Sequence, residues 1–200
     1  MAVRRVSLGA APPLPPDTGE QGVGDLVQEQ SGQGFDRIAS SIDYVLPQHV
    51  EQLTLSGNAI RGTGNELDNL LFGNDQANIL VGASGADQMA GASGDDRYSV
   101  DNTNDAIVEA IDAGIDTVVS LVSYGLVANL ENLILAGASN LAATGNDLAN
   151  VLVGNIGANA MQAGVGNDVL AGGLGDDNLD GGSDDDLYLY NQGEGRDVIV

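Results

Sequence analysis

The chain has 200 residues, no cysteine and a formal net charge of −23 at pH 7, with 29 acidic residues against six arginines. This charge argues against nucleic-acid phosphates and anionic membrane surfaces as partners, and the lack of cysteine excludes disulfide bonds. Because 42% of the residues are hydrophobic and recur at a fixed spacing, we interpret the chain as folded, not as an acidic disordered segment. No apolar run approaches the roughly 18 residues that a membrane span requires.

Residues 1–33 form a lead-in rich in Pro, Gly and Gln, and their composition predicts a flexible segment. The arginine pair Arg4 and Arg5 is followed by prolines at positions 12, 13, 15 and 16 and not by a continuous apolar stretch. We therefore expect neither a Sec nor a twin-arginine signal peptide.

A long internal repeat follows the lead-in. Residues 34–57 match residues 114–137 at an offset of 80, and Thr63-Gly64-Asn65 then matches Thr144-Gly145-Asn146 at an offset of 81. Such self-similarity is typical of an array of stacked units. It predicts a first module over residues 34–113 and a second over residues 114–200.

Within each module lies a block with a nine-residue period. Each unit opens with glycine or alanine, carries Asn or Asp at its sixth position and a large apolar residue at its eighth. The first block covers residues 64–99 and the second covers residues 145–189. The sixth positions are Asn69, Asn78, Asp87 and Asp96 in the first block, and Asn150, Asn159, Asp168, Asp177 and Asp186 in the second.

This period predicts a solenoid in which each unit makes one turn and one short strand. Glycines at the first, second and fourth positions allow positive φ and a sharp turn, and the residues from the sixth onward form a strand whose eighth side chain enters the core. Carboxylates that stack at a fixed spacing repel one another unless a cation lies between them. A hard cation such as Ca²⁺ binds about 6–8 oxygen ligands, and two stacked loops can supply them.

These units resemble the RTX, or haemolysin-type, calcium-binding repeat, whose pattern is GGxGxDxUx with U large and apolar. The resemblance implies an all-β, right-handed parallel β-roll with two nonapeptides per coil and calcium in the inter-coil loops. Loops 18 residues apart would then share one calcium ion. The implied pairs are Asp168 with Asp186, Asn159 with Asp177, Asn150 with Asp168, Asn69 with Asp87, and Asn78 with Asp96.

The resemblance assigns metal binding to the sixth-position acids and to the loop glycines of the second block. Ala83 and Ala92 replace glycine in the first block, and Asn74 and Asn155 replace it as residues that tolerate the left-handed region. We therefore expect the second block to bind calcium more strongly, and the Asn-bearing units to bond the loop backbone without metal. The predicted metal-site residues are Asp168, Asp177 and Asp186, with Gly164, Gly166, Gly173, Gly175 and Gly182, and in the first block Asp87 and Asp96.

Three acids at the fifth position, Asp95, Asp176 and Asp185, are further candidates. They would tune the field of the site or bind the ion through water, and the alternative is that they are solvated loop acids. The tail 190–200 leaves the nine-residue period and is predicted to cap the roll, with Tyr188 and Tyr190 over the core and Asp197 near the last loop. Its apolar end also resembles a type I secretion signal, for which an edge strand is the favoured alternative.

Catalytic motifs are absent from the sequence. It contains no HExxH motif, no GxSxG motif and no Walker A motif. The single histidine, His49, corresponds to Asn129 in the second module and is interpreted as a polar turn residue. We therefore predict a protein that is not an enzyme by itself.

The resemblance leads us to expect a calcium-binding module that is secreted by a type I route, without an N-terminal signal peptide, and that folds outside the cell. Its partners would be calcium ions and the type I secretion machinery, with no nucleic acid. Two alternatives remain open: the repeat region of a larger secreted protease, lipase or epimerase, or a rod in an adhesin or surface-layer protein with a cell-surface or glycan partner.

Overall fold

The apolar eighth-position residues of the nonapeptide units lie in short parallel strands that face a common interior. The computed structural model describes residues 27–32 and 34–200, and within these residues it contains strands and turns but no helix. Most of the lead-in predicted for residues 1–33 lies outside the described residues. The all-β parallel solenoid expected from the sequence is confirmed.

Successive strands alternate between two faces of the solenoid. The even-numbered strands form one sheet of nine, and the odd-numbered strands form two sheets of five, β1 to β9 and β11 to β19. The even-numbered strands are β2 (Tyr44–Val45), β4 (Arg61–Thr63), β6 (Ile79–Val81), β8 (Arg97–Val100), β10 (Thr117–Ser120), β12 (Asn132–Leu135), β14 (Val151–Val153), β16 (Val169–Ala171) and β18 (Leu187–Leu189). The odd-numbered strands are β1 (Arg37–Ser40), β3 (Gln52–Leu55), β5 (Leu70–Phe72), β7 (Gln88–Ala90), β9 (Ala106–Ile107), β11 (Tyr124–Gly125), β13 (Ala142–Thr144), β15 (Ala160–Val165), β17 (Asn178–Ser183) and β19 (Val198–Ile199).

The register of the strands stacks equivalent positions of the repeat. Leu152 of β14 lies beside Leu170 of β16, and Met161 of β15 lies beside Leu179 of β17. Side chains on a strand alternate between its two faces, so this register places every eighth-position residue in the interior. Leu152, Met161, Leu170 and Leu179 are accordingly buried.

The even-numbered sheet is continuous across the boundary predicted between the two modules. Strand β8 of the first module pairs with β10 of the second, with Tyr98 beside Val118. The odd-numbered strands, in contrast, stop pairing between β9 and β11. The two copies are therefore stacked in one solenoid whose hydrogen bonding is interrupted on one face only.

Two details refine the predictions for individual residues. His49 and Asn129 both adopt φ 68°, so the two equivalent positions share one left-handed turn. Tyr188 packs against the core, but Tyr190 is 64% exposed and does not cap it, contrary to expectation. The tail instead adds strand β19 beside β17, because Val198 and Ile199 continue the pattern of acid followed by apolar residues.

Within residues 27–32 and 34–200, no helix is long and apolar enough to cross a membrane.

Replacement of Leu152 by Ala tests the packing of the interior. Leu152 is fully buried, and removing a buried Leu side chain leaves a cavity that costs about 2–5 kcal/mol. We expect urea unfolding of the calcium-loaded protein to show this loss. Leu148 in the same unit is 39% exposed, and Leu148→Ala should cost no more than about 0.5 kcal/mol. Equal losses in the two variants would contradict the assignment of Leu152 to the core.

Candidate metal sites in the loops

The sixth-position acids connect each coil to the one before it. The backbone N–H of Asn150 donates to Asp168 Oδ1 at 2.7 Å, and that of Asn159 donates to Asp177 Oδ1 at 2.7 Å. Asp168 donates in the same way to Asp186 Oδ1 at 3.1 Å. The first block repeats the contact between Asn69 and Asp87, at 2.8 Å, and between Asn78 and Asp96, at 2.7 Å.

These contacts place the five predicted pairs in neighbouring coils, 18 residues apart. Each contact joins a backbone amide to a carboxylate and does not join two side chains. The carboxylate ladder, as we call this series of bonds, uses only one oxygen of each Asp. The second oxygen is left to be satisfied by another group.

That second oxygen is buried and has no partner in four of the predicted metal residues, which are Asp87, Asp96, Asp168 and Asp177. The side chains are at most 2% exposed. A buried carboxylate without a compensating partner is costly, and it is found in proteins mainly where it is paired or binds a metal. Asp186, in the last Asp-bearing coil, is partly exposed.

The electrostatics of the loops follow from this burial. Burial raises the pKa of Asp87 to about 7 and that of Asp96 to about 7. The donated backbone N–H opposes the rise in pKa, and neighbouring acids add to it. The pKa values of Asp168 and Asp177 are also raised, first by burial. In the ionised form these groups therefore need a counter-charge, and a hard cation with oxygen preference fits them.

In the Asp-bearing units that open with glycine, the first glycine provides space for the carboxylate; the unit of Asp168 opens with Ala163 instead. A Cβ on Gly82, Gly91 or Gly172 would overlap the Oδ2 atom of Asp87, Asp96 or Asp177. None of these three glycines has positive φ. The expectation that the first position needs glycine for a left-handed turn is therefore wrong. Glycine is needed there because a side chain would overlap the carboxylate.

In the Asp-bearing units the glycines at the second and fourth positions do adopt positive φ, whereas Gly157, in an Asn-bearing unit, does not. A Cβ on Gly175 would overlap the carbonyl oxygen of Gly157, one coil earlier, so the glycine also allows close stacking. Ala83 and Ala92 adopt φ 68° and 81°, a conformation that costs an L-residue about 1–2 kcal/mol. The predicted glycines have φ values of 115° (Gly164), 126° (Gly166), 90° (Gly173), 117° (Gly175) and 94° (Gly182).

The Asn-bearing units close their loops with side-chain amides. Asn146 Nδ2 donates to the carbonyl oxygens of Val127 and Leu130, both at 2.8 Å, and its Oδ1 accepts the N–H of Leu148 at 2.9 Å. Asn155 makes the equivalent bonds to Ala136 and Ser139. An N–H group that holds carbonyl oxygens of the preceding coil satisfies them without a metal. These hydrogen bonds join each Asn-bearing loop to the preceding coil.

This arrangement corrects one expectation. Asn74 and Asn155 were expected to replace glycine as residues that tolerate the left-handed region, but neither has positive φ. They occupy the second position because of their amides, and Asn74 Nδ2 donates to the carbonyl oxygen of Ala59 at 2.8 Å. An Asn four residues before the sixth-position Asn is the signal in the sequence that identifies this loop type.

The fifth-position acids lie at the surface of the loops. Asp95, Asp176 and Asp185 are all exposed. Asp95 Oδ1 accepts the N–H of Ile115, and Asp176 Oδ1 accepts that of Arg196, each at 2.9 Å. Asp185 donates its own N–H to Asn167 Oδ1 at 3.0 Å. Their positions are those of solvated loop residues that join coils at the surface.

The carboxylate ladder extends beyond the nonapeptide blocks. Asp87 donates its N–H to Asp105 Oδ1 at 3.0 Å, Asp96 donates to Asp116 Oδ1 at 2.8 Å, and Asp177 donates to Asp197 Oδ1 at 3.1 Å. Asp197 was expected near the last loop, whereas Asp105 and Asp116 were not predicted from the sequence. Both acids could be recognised in the sequence because each stands two residues before a buried apolar residue. This pattern does not require the glycines of the nonapeptide unit.

Acidification tests the buried carboxylates. Because the pKa values of Asp87 and Asp96 are about 7 in the folded state and about 3.9 in an unfolded chain, the folded state binds more protons. The resulting stabilisation is complete below about pH 4 and is lost as the pH rises through about 7. We expect calcium-stripped protein to gain β-structure, measured by circular dichroism, as the pH falls from about 8 to about 5. The double variant Asp87→Asn, Asp96→Asn should show a smaller change; an unchanged pH profile in this variant would contradict the assignment.

Replacement of Asn146 by Ala tests the metal-free loop type. The change removes bonds to two carbonyl oxygens, to the Leu148 N–H and to Asn150 Nδ2, so we expect a loss of about 1–3 kcal/mol in urea unfolding of the calcium-loaded protein. The number of calcium ions bound should stay the same. Asn58 is exposed, and Asn58→Ala serves as the matched control. A lower ion count in Asn146→Ala would show that this loop does hold metal.

Comparison with known proteins agrees with this geometry. A family model described as the RTX calcium-binding nonapeptide repeat (4 copies) matches residues 63–98, 144–179 and 153–188. No curated protein matches the chain. The matched segments coincide with the two nonapeptide blocks and contain the buried Asp87, Asp96, Asp168 and Asp177. The two blocks are therefore RTX calcium-binding nonapeptide repeats, and the chain carries a calcium-binding repeat module.

Proposed function

We propose that the Asp-bearing loops bind Ca²⁺ and that this binding drives the folding of the solenoid. The observation that carries the proposal is the buried, unpartnered Oδ2 atom of Asp87, Asp96, Asp168 and Asp177. Carboxylate and backbone carbonyl oxygens make up a hard donor set, which suits calcium. The chain contains no lysine, so the ion would supply the positive charge that these carboxylates need.

The coupling of binding to folding follows from charge. The carboxylate ladder stacks acids along each edge of the solenoid, and the whole chain carries −23. Without a cation these acids repel one another and favour an extended chain. An ion that binds the stacked loops but not the separated ones contributes its binding free energy to folding.

The same physics suits a protein that folds after export. In a cytosol with low calcium the chain would stay unfolded enough to pass a type I secretion channel, and extracellular calcium would then fold it. The absence of cysteine supports this proposal, because the solenoid has no disulfide bonds to stabilise it outside the cell. Calcium would take over that stabilising role.

The two loop types divide the work within each block. We propose that the Asn-bearing units, which come first, form a metal-independent scaffold onto which the Asp-bearing units fold when calcium binds. The bonds of Asn146 and Asn155 support this division. The stronger binding expected of the second block stays a prediction, since each block has two buried Oδ2 atoms without a partner.

Removal of calcium tests the coupling directly. We expect circular dichroism to show a disordered chain in chelator at about pH 7.5 and a β-rich one in about 10 mM calcium. This concentration is above the dissociation constants typical of extracellular calcium modules. Magnesium at equal concentration serves as the control, since it demands a smaller octahedral site and should fold the chain far less. Identical spectra with and without calcium would refute calcium-dependent folding.

The variant Asp168→Asn should have opposite effects on folding in the absence and in the presence of calcium. Asn keeps an oxygen that can accept the N–H of Asn150 but removes the buried charge. Without calcium we therefore expect more residual β-structure than in the wild type, and with calcium a lower stability and a weaker affinity. Asp147 is exposed, and Asp147→Asn should change neither. A loss of stability in both conditions would assign Asp168 a structural role without metal.

A further inference from the structure

Three carboxylates meet at the junction between the first nonapeptide block and the segment that follows it. Asp96 lies in the last unit of the first block, Asp116 precedes strand β10, and Glu109 comes from the stretch between β9 and β10. One carboxylate oxygen from each lies within 4.8 Å of the other two. Glu109 and Asp116 lie outside the residues that match the RTX repeat.

Two of the three carboxylates carry a buried oxygen without a partner. Asp116 Oδ1 accepts the backbone N–H of Asp96 at 2.8 Å, and Asp96 Oδ1 accepts that of Asn78 at 2.7 Å. The Oδ2 atoms of both residues are buried and have no hydrogen-bond partner. Asp96 is 2% exposed and Asp116 is 1% exposed, so bulk solvent does not reach these carboxylates.

The third carboxylate is held in place by a buried tyrosine. The Tyr98 hydroxyl donates to Glu109 Oε2 and accepts the backbone N–H of Gly91 at 2.8 Å. Tyr98 is fully buried, so this chain of bonds fixes Glu109 against the end of the first block. A carboxylate oxygen that accepts one hydrogen bond retains a lone pair for a metal.

We propose that Asp96, Glu109 and Asp116 bind a hard divalent cation, of which calcium is the ion to test. The three groups bring three negative charges and oxygen ligands to one point, which is the chemistry such an ion requires. The site goes beyond the function proposed for the repeats, because two of its three ligands lie outside them. It can therefore exist whether or not the nonapeptide loops bind calcium as proposed.

The location suggests what the ion would do. Asp96 and Asp116 precede the paired strands β8 and β10, while the odd-numbered strands stop pairing between β9 and β11. An ion held by these two acids and Glu109 would tie the segment after β9 to the continuous sheet. It would thus join the two modules at the coil where backbone hydrogen bonds are missing on one face.

The second module has no equivalent site in its tail. Its block also ends in a tyrosine, and Gly181 donates its N–H to the Tyr188 hydroxyl at 2.8 Å. The tail glutamate, Glu194, accepts hydrogen bonds from Asn191 instead. We therefore expect a single junction site, which makes the number of bound ions a clear readout.

The test counts calcium ions per chain by equilibrium dialysis and measures affinities by calorimetry. We expect Glu109→Gln and Asp116→Asn each to bind one ion fewer than the wild type, while Glu66→Gln, at an exposed loop position, binds the full number. An unchanged count and affinity in both junction variants would overturn the proposal. Asp168→Asn in the same experiment reports on calcium binding by the repeat loops. Failure of the junction site and failure of the repeat sites can therefore be distinguished.

A second measurement uses a variant that keeps the core filled. Terbium replaces calcium and emits when a nearby tyrosine is excited, and Tyr98 contacts a proposed ligand. We expect Tyr98→Phe to lower the tyrosine-sensitised emission at saturation and to weaken binding at one site, whereas Tyr190→Phe, which changes an exposed ring, leaves both unchanged. Equal emission from the wild type and Tyr98→Phe would also overturn the proposal.

Discussion

The hydrogen bond from a backbone N–H in one coil to a carboxylate in the next is the contact on which the rest of the structure depends. It recurs where Asn150 meets Asp168 and where Asn159 meets Asp177, and it holds the coils in one register. The same bond brings the carboxylate into the interior of the loop, where its second oxygen has no partner. The glycine beside it, the raised pKa values and the need for a cation all follow from this one placement.

The chain solves the problem of stacked loops in two ways. In the Asn-bearing units, an amide such as that of Asn146 donates to carbonyl oxygens of the preceding coil and leaves no charge behind. In the Asp-bearing units, a buried carboxylate oxygen such as Asp168 Oδ2 is left without a partner. Each block begins with Asn-bearing units and ends with Asp-bearing units, so the loops closed by amide hydrogen bonds come first along the chain. The order suits folding from a scaffold outward, as proposed for the calcium switch.

Much of this could be predicted from sequence, since a nine-residue period places every eighth residue inside and every sixth residue in a loop. The five pairs of loop residues followed from the 18-residue coil that the family resemblance implies. Three features did not follow. The first-position glycines are needed because a Cβ would overlap the carboxylate, and not because of a positive φ. Asn74 and Asn155 act through their side-chain amides, and Tyr190 is exposed. Each depends on a neighbour in another coil or on the end of the stack, which a single unit does not reveal.

The repeat by itself determined a solenoid of short strands, its inward-facing eighth positions and its sixth-position acids, because these depend on spacing within and between similar units. The parallel direction of the strands followed from the family resemblance. Only the tertiary structure decided which carboxylate oxygens are left without partners. It also brought Glu109 to Asp96 and Asp116, across a segment that lacks the nine-residue period. The reason is physical: burial and encounter between distant residues depend on how coils stack, and at the junction that stacking departs from the repeat.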